Sequence, residues 1–426
     1  METKSSRISG FYELPPEERL EKVADIRGLS DEDLSALRDH EVSGVGLADR
    51  MIENVIGTMQ VPLGVATNFV INGKDCLIPM AIEEPSVVAA ASNAARLARE
   101  TGGFFTSNSG PIMRAQIQAT GVSDPEGARA RVFEAKEDLL ELANEQDPML
   151  VQLGGGAKDI EVHVIRSDMG PMVVTHLIVD CKDSMGANAV NTMAEALAPS
   201  VEAITGGRVY LRILSNLADL RLTRARTTIT SESLGGAEIV EGFLLSHTLA
   251  EVDPYRAATQ NKGVMNGISA VVLATGNDTR AVEAGAHTYA ARSRRYGSLT
   301  RWENNGDGDL VGSIETPLAV GLVGGATKSH PTARLAVKIL GVESAVELAE
   351  IIAAVGLAQN FGAVRALATE GIQRGHMSLH AKNVAAAAGA APEEIARVVE
   401  VMVREQEIRQ DRAEEILAEI RGGGNS

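Results

Sequence analysis

Between about Gly110 and Leu220 the apolar residues switch from a spacing of two to helical spacing and back, in the order β-α-β-β-α-β. The pattern predicts a strand over 112–118, a helix over 124–144, strands over 160–165 and 172–179, a helix over 184–204 and a last strand over 209–214. That order is the split pattern of a ferredoxin-like unit, whose helices cover one face of a four-stranded sheet. A unit of this size can fold around its own core, and a chain of 426 residues needs more than one core. The expectation is therefore an α+β protein. Residues 1–109 and 221–375 form a large helix-rich domain around a central helix, 110–220 are inserted as a small domain, and 376–426 form a C-terminal helical flap.

Local signals fill in the large domain. Ser30 to Asp33 offers a cap ahead of Leu34 and Leu37, and Asn72-Gly73 marks a tight hairpin after a β-forming run. After Pro85 a stretch rich in Ala and Ser predicts a helix buried on more than one side, which puts Glu84 just before a helix N-terminus. From Gly263 onward the glycines read as turns between short strands. Ser344 and Glu347 form a capping box for a long helix that Gly371 would stop. Pro392 opens a charged helix that ends near Arg421.

Charge narrows the partners. With 57 acidic against 40 basic residues the formal charge is -17, which opposes non-specific binding to nucleic acid or to an anionic membrane. An anionic ligand would need a helix N-terminus or a few chosen Arg and Lys. Two cysteines, Cys76 and Cys181, supply no disulfide framework and fit a reducing interior. The polar first ten residues carry no signal sequence, and no run of about 18 uncharged apolar residues is found, so a cytoplasmic protein with no membrane span is expected.

Four separated segments hold groups suited to reductive attack on an acyl thioester: Glu83-Glu84-Pro85-Ser86, Asn261-Lys262-Gly263, Thr275-Gly276-Asn277-Asp278 and 371–377. Such a reaction needs a cation beside the oxygen that becomes an alkoxide, an acid to protonate it, and a second acid for the leaving group. Lys262, Glu84 and His376 have that chemistry, with Asp278 as a tuning carboxylate. Each also has a plain structural reading: Lys262 as a solvated loop residue, Glu83-Glu84 as a helix-terminal charge. His376 and His380 stand four apart, a metal-compatible spacing, but no third His or Cys clusters with them, and no metal is expected. His163 and His287 read as structural. The glycine runs at 153–156 and 321–325 do not match G-x-G-x-x-G, so no Rossmann unit is expected. Asp183 to Asn188 sits between a strand and a helix, where free amides could hold a diphosphate.

Eight ordered motifs carry a resemblance: 53–57, 83–86, 183–188, 253–258, 261–263, 274–278, 321–327 and 371–377. Together they resemble the 3-hydroxy-3-methylglutaryl coenzyme A (HMG-CoA) reductase family, in its soluble bacterial class, from about Leu20 to Arg421. The resemblance implies a reductase that interconverts HMG-CoA and mevalonate plus coenzyme A with two NAD(H), through thiohemiacetal and mevaldehyde; the catalyst runs in both directions, side chains do not set the cellular one, and mevalonate degradation is the preferred reading. It implies a homo-oligomer with active sites at the dimer interface.

Residue by residue, the resemblance makes Lys262 the polariser of the carbonyl oxygen, Glu84 the proton donor, Asp278 their coupled carboxylate, and His376 the acid for the coenzyme A thiolate. It places Ser86, Asn216, Arg256 and Asn266 on the acyl portion. It places Asp147 at the adenosine ribose, with Asp183, Gly186, Asn188, Gly321 and Gly324 around the rest of the dinucleotide. A carboxylate at Asp147 accepts ribose hydroxyls and repels a 2'-phosphate, which favours NADH over NADPH. Three other readings stay open: a related NAD-dependent acyl-CoA or aldehyde oxidoreductase, a non-catalytic nucleotide-binding protein, and a metal-dependent hydrolase.

Overall fold

The computed structural model describes residues 5–38, 45–369, 381–382, 384–405 and 407–422. Ten strands are present among them: β1 (Leu63–Ile71), β2 (Lys74–Ala81), β3 (Phe104–Asn108), β4 (Ile112–Thr120), β5 (Gly156–Ser167), β6 (Gly170–Asp180), β7 (Arg208–Leu214), β8 (Leu222–Ile229), β9 (Thr300–Asn304) and β10 (Leu310–Pro317). They form two sheets, one of six strands in the order β2-β1-β3-β8-β10-β9 and one of four in the order β5-β6-β4-β7. Helices and two sheets together make the mixed fold that the alternation of spacings predicts.

The six-stranded sheet starts with a hairpin. Asn72 and Gly73 both take positive φ, 48° and 78°, the turn geometry that matches the twist of antiparallel strands. Helix Val87–Ala98 packs on this sheet through Ala91, Ala94, Ala95 and Ala98, all buried. Behind it run helices Pro254–Ala274 and Ala345–Ala368, which pack on each other. Phe243, Trp302 and Phe361 close this core, with Phe243 and Trp302 edge to face at 5.1 Å between ring centroids.

The segment 254–274 departs from the sequence expectation, which read its glycines as turns. It is one helix of 21 residues, capped by the Asp253 side chain on the Arg256 amide at 2.7 Å. Gly267 faces helix Ala345–Ala368 so closely that a β-carbon there would lie 2.9 Å from Gln359 Cβ, and one at Gly356 would lie 2.8 Å from Ile268 Cγ1. The glycines mark a close helix crossing rather than a turn. Helix Ala345–Ala368 is long and apolar enough to cross a membrane, but 67% of its most apolar stretch is buried inside the protein, as the centre of the core.

In the four-stranded sheet every pairing is antiparallel. Along β4 the inward residues Met113, Ala115, Ile117 and Ala119 alternate with outward Arg114, Gln116 and Gln118. Helix Ala187–Thr205 packs on the inner face. The other helical segment is split into Pro125–Glu134 and Lys136–Asn144 at Ala135. No Gly or Pro marks that break; both halves pack against helix Ala187–Thr205 and β5, and tertiary contact overrides the local preference for one rod. The C-terminal helices Pro392–Glu405 and Gln410–Gly422 share their own apolar cluster, around Val398, Met402, Ile416 and Leu417.

Candidate active site

Glu84 lies in the five-residue link between β2 and helix Val87–Ala98. The link ends at Ser86, whose backbone is left-handed, φ 72° and ψ −13°. A non-glycine residue there is strained by about 1–3 kcal/mol, which a local turn would avoid unless its shape were needed. Lys262 and Asn266 are one helical turn apart on Pro254–Ala274 and so share a face. That face meets the link: Lys262 Nζ donates to Glu84 Oε2 at 2.5 Å and Asn266 Nδ2 donates to Glu84 Oε1 at 3.3 Å. Both carboxylate oxygens are held.

The pair is open to solvent, with 60% of the Lys262 side chain and 33% of that of Glu84 exposed. An ion pair this exposed contributes about 0–1 kcal/mol to stability, so packing does not demand it. Beside it is a cavity of about 340 Å³ lined by the end of β2, by Lys262, Asn266 and Ser269, and by Thr279, Glu283 and His287 of the next helix, Thr279–Ala290. His287, read as structural from sequence, faces this cavity and bonds the Tyr296 hydroxyl through Nδ1 at 2.8 Å. Ser269 donates to Glu283 at 2.6 Å.

Asp278 lies just before the next helix. Its carboxylate caps helix Thr279–Ala290, accepting from the Arg280 and Ala281 amides at 3.0 and 3.2 Å, and it pairs with the Arg280 guanidinium at 3.2 Å. Among the described residues its contacts include neither Lys262 nor Glu84. Arg256, six residues before Lys262 on the same helix, is half-buried, and burial lowers its pKa. No ion pair with it is found among the described residues. Asn216 is exposed in the loop between β7 and β8, with its carbonyl packed on Gly285 of helix Thr279–Ala290. His376 lies outside the described residues.

A second cluster gathers the residues expected around a dinucleotide. Gly186 opens helix Ala187–Thr205 at φ 105°, with no side chain capping the helix N-terminus, and Asn188 is exposed beside it. A side chain at Gly186 would strike Cys181 Sγ at 2.5 Å. Gly321 packs on the same turn, since a β-carbon there would lie 2.5 Å from the Met185 nitrogen. The Asp183 carbonyl accepts from the Leu322 amide at 2.8 Å, while its side chain accepts from the Ala345 amide at 2.8 Å. Gly324 begins a short helix, Gly325–Ser329. Asp147 caps helix Pro148–Gln152 on the Leu150 amide at 3.0 Å, and the glycines that follow pack against Asp180 and Lys182 near the same turn.

Sequence reasoning missed the residue that joins these segments. Arg221 is buried and donates to the carbonyls of Ser184 and Met185 at 3.1 and 3.2 Å and to that of Val320. One guanidinium thus pins the turn after β6 to the glycine segment after β10. The available signal was an arginine directly before the alternating β8 pattern, where burial requires partners.

Residues 15–381 match the family described as hydroxymethylglutaryl-coenzyme A reductase. The chain belongs to the HMG-CoA reductase family. It is 60% identical over 417 residues to a 3-hydroxy-3-methylglutaryl-coenzyme A reductase of Archaeoglobus fulgidus, covering 98% of this chain and 95% of that one. It is 37% identical over 342 residues to a probable reductase of the same name from Borreliella burgdorferi, covering 78% and 77%. In structure it is similar to the class II enzyme of Streptococcus pneumoniae bound to NADPH in open conformations, with a TM-score of 0.82 at 40% identity, covering 96% and 100%. The chain is thus an oxidoreductase of the HMG-CoA reductase family with the class II fold.

Proposed function

We propose that the chain interconverts HMG-CoA and mevalonate, in the balance HMG-CoA + 2 NADH + 2 H⁺ to mevalonate + coenzyme A + 2 NAD⁺, through thiohemiacetal and mevaldehyde. The observation that carries this reading is the Lys262–Glu84–Asn266 arrangement. A reduced nicotinamide supplies one hydride to each of the two carbonyl carbons. Lys262 sets its ammonium against the oxygen that gains charge in both reductions, and Glu84, hydrogen-bonded to that ammonium, delivers the proton that quenches it. Asn266 fixes the rotation of the Glu84 carboxylate. Arg256, half-buried and without an ion-pair partner among the described residues, takes the free carboxylate of the acyl group, with Ser86 and Asn216 along its length. Asp278 acts through its charge from the end of its helix, and His376 protonates the departing thiolate.

The uncapped N-terminus of helix Ala187–Thr205 fits a dinucleotide diphosphate, and in a chain of charge -17 such local dipoles have to supply the attraction. Asp183, Gly186, Asn188, Gly321 and Gly324 surround it and Asp147 takes the ribose. The Asp147 carboxylate favours NADH, although the Streptococcus pneumoniae relative was captured with NADPH. We read the enzyme as cytoplasmic, in line with two buried, unpaired cysteines, and as working toward mevalonate degradation. A homo-oligomer with sites at the dimer interface is supported by the exposed Leu245, Leu249, Val252 and Tyr255 around the start of the Lys262 helix.

The purified protein with HMG-CoA should consume NADH with a higher kcat/KM than NADPH. Equal or better use of NADPH removes the Asp147 argument. Faster turnover of other acyl thioesters or free aldehydes would favour the related acyl-CoA or aldehyde oxidoreductase instead.

A further inference from the structure

The open face of the four-stranded sheet carries a donor set that the reduction does not use. Glu161 and His163 stand two apart on β5, and therefore on one face, and Glu161 is the register partner of His176 on β6. One ligand atom from each of the three lies within 4.8 Å of the other two. A cation already sits among them. Arg114 Nη1 is 2.5 Å from Glu161 Oε2 and 2.9 Å from His176 Nδ1, and its other arm reaches Asp219 Oδ1 at 3.4 Å.

The chemistry of that contact fixes the imidazole. A guanidinium only donates, so His176 Nδ1 must present its lone pair to Arg114. The ring proton then sits on Nε2, 3.0 Å from Gln116 Nε2, and the Gln116 carboxamide, turned by 180°, puts its oxygen there as the acceptor. A metal-bound histidine is held the same way, with one lone pair on the cation and the opposite N–H given to an acceptor. His163 Nε2 completes the group at 3.4 Å from Glu161 Oε2.

We propose that Glu161, His163 and His176 form a site for a divalent transition metal of the zinc class, which enters by displacing the Arg114 guanidinium onto Asp219. Two imidazoles and one carboxylate suit such an ion and leave a fourth position for water, whereas magnesium and calcium prefer oxygen donors. The exchange replaces one cation by another and requires no change in covalent bonding. It also reaches beyond the sheet: the Arg114 carbonyl accepts from the Ser215 amide at 2.8 Å, and Asp219 belongs to the same loop as Asn216.

The test is calorimetric titration of zinc into the full-length protein after treatment with a chelator, with cobalt absorption as a check on coordination. One saturable site per chain is expected. His163 is half-exposed, so His163→Ala leaves the sheet packing intact, and it should weaken binding by about tenfold or more, as should His176→Gln. Arg114→Ala removes the competing cation and should tighten binding. Absence of a saturable site in both the unsubstituted protein and Arg114→Ala overturns the proposal. So does an affinity that His163→Ala leaves unchanged, which would assign the ion to other residues.

Discussion

Glu84 is held by an ammonium on one oxygen and by a carboxamide on the other. The two contacts have separable effects. Asn266→Ala frees one oxygen while leaving Lys262 in place, so kcat for HMG-CoA reduction should fall more than affinity for the thioester; a change confined to KM would make Asn266 a binding residue only. That Glu84 and Lys262 meet was legible in the sequence because the proposed reduction demands a cation and an acid at one oxygen. The cap made by Asp278 on its own helix was legible in a different sense: an Asp ahead of Thr279-Arg280 is also a strong N-cap, and local hydrogen bonds took its oxygens. His176 gives the fold a pH dependence. Burial first, then the charges of Arg114 and His163, push it from 6.5 down to about 4, against the opposing pull of Glu161 and Asp219. The folded ring therefore stays neutral while the unfolded one gains a proton below 6.5. Its contribution to stability is whole above that pH and is lost as pH falls toward about 4. Denaturation midpoints across that window should drop more steeply for the unsubstituted protein than for His176→Gln; parallel curves would contradict the shift.

At the scale of elements, spacing rules located the strands and helices of the β-α-β-β-α-β stretch to within a few residues, because β4 alternates strictly inward and outward and β6 is a β-branched run buried over most of its length. They failed at 254–274, where glycine has two possible causes. Turn formation needs a residue free at φ, while close helix crossing needs one without a side chain, and a single sequence does not separate them. Gly267 and Gly356 belong to the second kind. Gly267→Val should therefore overpack the crossing and destabilise the protein by about 1–3 kcal/mol, seen as a lower Tm. Because that helix carries Arg256, Lys262 and Asn266, activity should fall in the surviving folded fraction as well. A variant with full activity and unchanged Tm would show that the crossing tolerates a side chain.

On the scale of the whole molecule, the Lys262 helix packs on the six-stranded sheet, the turn carrying Gly186 leaves the four-stranded one, and Arg221 ties that turn to the glycine segment after β10. No local pattern announces such a link, since its partners are carbonyls from positions scattered along the chain. The exposed Leu245, Leu249, Val252 and Tyr255 surround the start of helix Pro254–Ala274. If the proposed homo-oligomer forms through this patch, Leu249→Asp should lower the mass in light-scattering measurements and turnover together; an unaltered mass would contradict that interface. The claim on which the rest depends is that one ammonium serves two successive reductions within a single assembly. Counting NADH consumed against coenzyme A thiol released from HMG-CoA, for the unsubstituted protein and for Lys262→Met, tests it most directly. Two NADH per thiol are expected, with a rate about a hundredfold or more lower for the variant; a ratio of one, or a variant that turns over at the original rate, would rule out a single ammonium serving both steps.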